Sequence, residues 1–301
     1  HDIVTTSDIG ILTLGRNAGE GGDRLEIDDF LLTELEHEMI YNITDAFHKE
    51  NKKLIIVLNI GGVIETASWK NLPDAILLAW QGGQEGGNSV TDIITGKLNP
   101  SGKLPMTFPI YLSDHASHDN FPKNPKMFTL EGMVKNLIFP PNETPKARKV
   151  KDEDYTFYHE DVFVGYRHFD SKNLSVSFPF GFGLSYTDFE YGPMEAKIKN
   201  DTINISLDIK NIGASPGKEV VQFYTEKVNS TIKRPTQELK SFAKTKLLEN
   251  NESINISVKI PIKELSYWNE TINDWSLEKG EYNIKVGGSS RNISQILKIN
   301  L

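Results

Sequence analysis

The feature that most constrains this chain is a change of hydrophobic period near residue 190. Before it, continuous apolar runs take turns with segments whose apolar residues recur at helical spacing; after it, apolar and polar residues alternate one by one. The run "DIGILTLG" from Asp8 reads as a buried strand, and "FLLTELEHEMIYNITDAFHKEN" from Phe30 as a helix with its charges opposite the apolar stripe. "LIIVLNI" from Leu54 and "DAILLAW" from Asp74 read as further strands. "QEGGNSVTDIITGKL" from Gln84 reads as a helix stopped before Pro100. Strands separated by helices imply a parallel sheet with both faces covered. Three strands are few for such a sheet, so the expectation is that part of this domain lies upstream of His1.

After "GLSYTDFEY" the segments "INISLDIKNIG", "EVVQFYTEKV", "SINISVKIPI" and "EYNIKVGGSS" alternate with period two between Gly, Asn and Pro turns. About seven short strands of this kind predict a β-sandwich of immunoglobulin or fibronectin type III kind. Between about Tyr111 and Asp154 the pattern dissolves into Pro, Asn and charge, as a functional loop or an insertion does. The expected division is therefore a partial parallel α/β domain over 1–110, a long loop and linker over 111–183, and an all-β sandwich over 184–301.

Composition narrows the partners. A length of 301 residues is enough for two cores. A net charge of −8, with no dense block of Lys and Arg, argues against nucleic acid. The absence of cysteine excludes thiol nucleophiles, zinc ribbons and disulfide frameworks. No apolar run approaches membrane-spanning length, and no signal peptide precedes the first strand, so the chain is expected to begin inside a longer precursor. Asn-x-Ser/Thr acceptor tripeptides recur at Asn42, Asn142, Asn173, Asn200, Asn204, Asn229, Asn251, Asn255, Asn269 and Asn292. They suggest an extracytoplasmic protein, secreted or periplasmic, although I-N-I-S strand alternation generates such tripeptides by itself.

One stretch raises a question of chemistry: "GRNAGEGGDR", Gly15 to Arg24, sets glycines around Glu20. A dinucleotide cradle wants G-x-G-x-x-G running straight into a helix. Here Glu20 and Asp23 would repel a pyrophosphate, and no Lys-Ser or Lys-Thr follows as a P-loop requires. The glycines instead allow positive φ and close ligand approach, at the end of a parallel strand where open α/β sheets place their crevice. Glu20 there is a general acid, an acceptor for sugar hydroxyls, or an ion-pair partner for Arg16 or Arg24.

Other candidates are weaker. His115, His118, His159 and His168 share no metal-ligand spacing and read as surface or loop residues. Trp69 and Trp80 are able to stack on sugars, though Trp80 fits better packed beside Gly82 and Gly83, and Trp268 and Trp275 read as sandwich core.

The glycine stretch, together with "WQGGQEGG", "GKLNPSGKLPMTFP", "YHEDVFVGYRHFD", "FPFGFGLSYTDFEY", "GKEVVQFY", "RPTQELKSFAK" and "GEYNIKVGGSSRNI", resembles glycoside hydrolase family 3, above all its β-glucosidases. The likeness covers the chain outside the long loop. It implies the later part of an α/β sandwich domain followed by a fibronectin type III-like domain. In the family a (β/α)₈ barrel comes first and carries the nucleophilic aspartate. The family's Ser-Asp-Trp nucleophile motif has no counterpart here, since "LSDHAS", with Ser113 and Asp114, follows "PMTFP" and lies on no barrel strand. The resemblance places the acid/base of many members on Glu20 and assigns loop support to Arg16, Asp23 and Arg24. It implies no cofactor and no metal. The implied function is part of a retaining, exo-acting β-glucosidase acting on oligosaccharides or aryl β-glycosides, with the upstream barrel as partner and homo-oligomerisation open. β-Xylosidase, exo-glucanase, or a non-catalytic carbohydrate-binding or scaffold module stand as alternatives.

Overall fold

The computed structural model describes residues 2–16, 25–118 and 158–301. They form two compact units: 1–90 with 109–161, and 91–108 with 162–301.

The first unit opens with α1 (Asp2–Thr6) and continues through β1 (Ile9–Arg16), α2 (Glu34–Lys49), β2 (Lys53–Ile60) and β3 (Ala75–Leu78). The three strands are parallel in the order β1-β2-β3. Because side chains alternate across a strand, Leu12 and Leu14 share a face with Ile56, Leu58 and Ile60 and with Ile76 and Leu78. That face packs against Met39 and Ile40 of α2. Gly10 marks the closest approach: a Cβ there would lie 2.8 Å from the Phe47 ring, so α2 sits directly on the strand backbone. The helix begins at Glu34, later than the apolar spacing from Phe30 suggests. Thr33 and Glu36 form a capping box that fixes the start, and an irregular turn with Asp28 at φ 62° precedes it.

The opposite face of β1 corrects the expectation of a buried strand. Ile9 and Ile11 are 51% and 56% exposed, because β1 is a sheet edge among the described residues and α2 covers only the other face.

The chain then passes through α3 (Gly86–Ile94), β4 (Phe108–Pro109), a short helix at Tyr166–Ser171, and β5 (Val176–Phe178). The β-sandwich follows: β6 (Phe189–Tyr191), β7 (Glu195–Lys199), β8 (Thr202–Asn211), β9 (Val220–Lys227), β10 (Glu238–Lys244), β11 (Ser253–Pro261), β12 (Tyr267–Asn269), β13 (Asp274–Ser276), β14 (Glu281–Ser289) and β15 (Asn292–Asn300). One antiparallel sheet runs β10-β9-β14-β15; the other runs β11-β8-β6, with β7 also on β8. Ile203, Ile205, Leu207 and Ile209 of β8 face Val221 and Phe223 of β9 and Tyr282, Ile284 and Val286 of β14 in one buried core. The period-two alternation produces this arrangement, with each inward apolar side chain contributing about 1.5–3 kcal/mol by burial.

β9 breaks the alternation, since Val221 to Thr225 are all buried. Its outer face is covered within the same unit by the segment after Gly165. Tyr166 stacks on Phe180 at 4.6 Å and meets Tyr224 edge-on at 6.0 Å. Gln222 donates to the carbonyls of Gly181 and Gly288 and accepts from the Tyr224 hydroxyl at 2.6 Å. Gly181, at φ 80°, is required there, because a Cβ would fall 2.1 Å from the Gln222 amide oxygen. His168, expected at the surface, is buried on this covering helix against Phe169, because the segment needs an inner face of its own.

Candidate functional site

The candidate site is built on the carboxyl edge of the parallel sheet. Gly15 lies opposite Asn59, Arg16 opposite Ile60, and Leu58 opposite Leu78, so the loops after all three strands leave from one side. That is where open α/β sheets bind ligands. Glu20, Asp23 and Arg24 lie outside the described residues.

Arg16 joins the segments on either side of these residues. Its guanidinium forks onto the Glu36 carboxylate at 2.6 and 2.8 Å, its Nε donates to the Asp29 carbonyl at 2.9 Å, and its Nη1 donates to the Gly15 carbonyl at 2.9 Å. The side chain is only 9% exposed. One residue therefore ties the strand that enters the glycine loop to the turn that leaves it, and both to the start of α2. Charge-assisted, bidentate contacts of this type are the strong ones, worth about 1–3 kcal/mol when half-buried.

Glu36 is the residue that sequence reasoning missed. Its carboxylate accepts from the Thr33 amide at 2.8 Å and the Thr33 hydroxyl at 3.1 Å while it holds Arg16. Burial, the largest influence on it, opposes ionisation; the hydrogen bonds and charge of Arg16 and the donors of Thr33 outweigh it and hold the carboxyl below its ordinary range. The signal was present in "TELE", a capping-box spacing that puts Glu at N3 beside the end of β1.

The loop after β2 is fixed to the same turn. The Glu65 amide donates to the Phe30 carbonyl at 2.8 Å, and Phe30 is buried. The Glu65 carboxylate, 6% exposed with its residue, accepts from the amide and hydroxyl of Ser68, both at 2.7 Å. Trp69 donates its indole N–H to the Glu65 carbonyl at 2.8 Å and is fully buried, which removes it as a sugar platform. Trp80, with φ 52°, packs partly buried against the same core. Ser113 and Asp114 sit in a single 3-10 turn, where Asp114 accepts from the Tyr111 amide at 3.0 Å.

Comparison with known proteins identifies the family. The family profile described as the glycosyl hydrolase family 3 C-terminal domain matches residues 1–186. The chain belongs to glycosyl hydrolase family 3. A fibronectin type III-like domain profile matches residues 219–290. Among curated family members, thermostable β-glucosidase B of Acetivibrio thermocellus is 33% identical over 96% of this chain and 34% of its own. An exo-α-(1→6)-L-arabinopyranosidase of Bifidobacterium breve is 34% identical over 83% of this chain and 30% of its own. The solved structure of β-glucosidase 3B from Thermotoga neapolitana in complex with glucose superimposes with a TM-score of 0.86 at 38% identity, covering 99% of this chain and 38% of that one. The chain thus spans about a third of the length of the family 3 relatives it matches.

Proposed function

We propose that this chain is the acid/base-bearing part of a retaining, exo-acting β-glycosidase that releases terminal β-linked glucose. Retention needs two carboxyl groups roughly 5–5.5 Å apart, one to attack the anomeric carbon and one to protonate the leaving oxygen. Glu20 is the second of these. It gives its proton to the glycosidic oxygen as the bond breaks, then as carboxylate takes a proton from the water that hydrolyses the glycosyl-enzyme. The attacking aspartate belongs to an upstream (β/α)₈ barrel, the partner of this chain. Arg16, Asp23 and Arg24 position the loop.

The observation that carries this reading is the Arg16 bridge. A loop closed at its stem by four donor contacts to Asp29, Gly15 and Glu36 is suited to presenting a carboxyl group at a repeatable place. A salt-bridge partner for Arg16 needs no such mount, and among the described residues that partner is Glu36.

The choice of sugar rests on the weight of β-glucosidases among the relatives, with an arabinopyranosidase at equal identity marking how far the family varies. β-Xylosidase and exo-glucanase activity are the alternatives, and rates on aryl glucoside, xyloside and arabinopyranoside sort them. We also place the protein outside the cytoplasm. Asn42, Asn173, Asn200, Asn229, Asn251, Asn255 and Asn292 are all exposed, as glycan acceptors must be. A mass unchanged by endoglycosidase after passage through a eukaryotic secretory route would count against glycosylation.

The function is tested by Glu20→Ala in the complete enzyme. Natural glucosides, whose leaving groups need a proton, should lose on the order of 10²–10⁴ in rate. Activated aryl glucosides should lose far less. Equal losses on both would remove Glu20 from the mechanism.

A further inference from the structure

The two tryptophans expected in the sandwich core are instead the most exposed aromatic pair of the fibronectin-like unit. Trp268 and Trp275 are 46% and 64% exposed. They lie directly opposite each other on β12 and β13, a two-stranded sheet of its own among the described strands. Their rings meet edge to face, centroids 5.7 Å apart at 80°. Such a cross-strand pair stiffens a hairpin, which explains why the rings touch. It does not explain why they face water.

The hairpin's pattern is inverted. Its half-buried side chains are Tyr267, Asn269 and Ser276, with the Asn269 amide 3.4 Å from the hydroxyls of both others. Leu265, fully buried, and Leu277 supply the apolar contact to the core from just outside the hairpin. Neither indole belongs to that core, and Ile272 at the turn is 59% exposed beside them in sequence.

We propose that Trp268 and Trp275 form a binding site for a neutral β-glucan chain, stacking on its pyranose rings. The C–H face of a β-linked pyranose is apolar, while its rim carries hydroxyls. Two exposed indoles set at right angles give apolar ring surface for stacking with few rotatable bonds to immobilise. The rim supplies acceptors: Glu270 and Asp274 are exposed on either side of the turn. Two carboxylates there favour sugar hydroxyls and disfavour phosphate, uronate or an anionic membrane, whose surface would call for Lys and Arg. The choice of glucan over other neutral glycans rests on the glycosidase reading above.

The test is affinity electrophoresis of the 301-residue chain in gels containing a soluble mixed-linkage β-glucan, with titration of cellohexaose. The native chain should be retarded. Trp275→Ala and Trp268→Ala should each weaken binding about tenfold or more, Trp275→Phe should keep most of it, and Phe242→Ala, which removes an exposed aromatic on β10, should change nothing. An unretarded native chain, or alanine variants retarded like the native one, would overturn the site. So would concentration-dependent dimers in sedimentation that vanish in Trp275→Ala without any glucan binding, since the pair would then serve a second copy. Should an alanine variant unfold, the native chain decides: cellohexaose should protect the exposed indoles from N-bromosuccinimide, and equal oxidation with and without it refutes the proposal. Hydrolysis by the complete enzyme is measured separately, so that binding without hydrolysis faults the glycosidase reading alone, and hydrolysis without binding faults this site alone.

Discussion

The two units solve the problem of covering a sheet differently. The β-sandwich closes on itself: Ile203, Ile205, Leu207 and Ile209 of β8 pack against Val221 and Phe223 of β9 and Tyr282, Ile284 and Val286 of β14, and the segment after Gly165 covers even the outer face of β9. The parallel sheet is served on one side by α2, while Ile9 and Ile11 stand exposed on the other face of its edge strand. An antiparallel sandwich completes its core within a local stretch of chain, whereas a parallel sheet draws on crossovers and further elements for its second face. The sandwich thus holds a self-contained core, while the edge strand β1 keeps an exposed apolar face.

The largest effect that would break this contrast is on whole fragments. Residues 91–301 should melt cooperatively, and residues 1–90 should not, instead binding a hydrophobic dye and associating through β1. A monomeric, cooperatively melting 1–90 fragment would contradict the account. Next in size, Phe223→Ala in the sandwich core should cost about 3–5 kcal/mol in denaturant unfolding, whereas Ile11→Ser on the exposed face should stay within about 0.5 kcal/mol and improve solubility.

Arg16→Met sharpens the comparison at the site itself, with an expected loss of about 1–3 kcal/mol. Its pH dependence has a definite sign. The Glu36 carboxyl is held below its unfolded value, so its contribution is present above the ordinary carboxylate pKa of about 4.3 and is lost as pH falls through the lower folded value. The gap between native and Arg16→Met proteins should therefore be full at neutral pH and close in acid; a gap that grows in acid would refute the pairing. Thr33→Ala, which removes the cap hydroxyl, should cost about 1 kcal/mol.

Much of this was legible in the sequence. Apolar runs and helical spacing announced β1, α2, β2 and β3, and the change to period two announced the sandwich, because both signals come from side chains meeting a single solvent boundary. Two of the failures share a cause. The outer face of β9 is buried by a segment contributed from outside the sandwich strands, and Ile9 and Ile11 are exposed where nothing described covers them; periodicity reports a preferred face but not what arrives to cover it. Trp268 and Trp275 misled for the opposite reason, since large aromatics are usually inside and only the hairpin's register turns them outward. At the site, Arg16 was legible as a support candidate, but its partner Glu36 lies across the sheet edge on α2, a pairing that only the fold brings together.

The proposed acid/base role of Glu20 is open to direct test. The most direct measurement is the product formed by Glu20→Ala in the complete enzyme from an activated aryl β-glucoside with sodium azide. The account predicts accumulation of the glycosyl-enzyme without azide, faster turnover with it, and a β-glucosyl azide of retained configuration. No acceleration and no azide adduct, with losses independent of the leaving group, would contradict it.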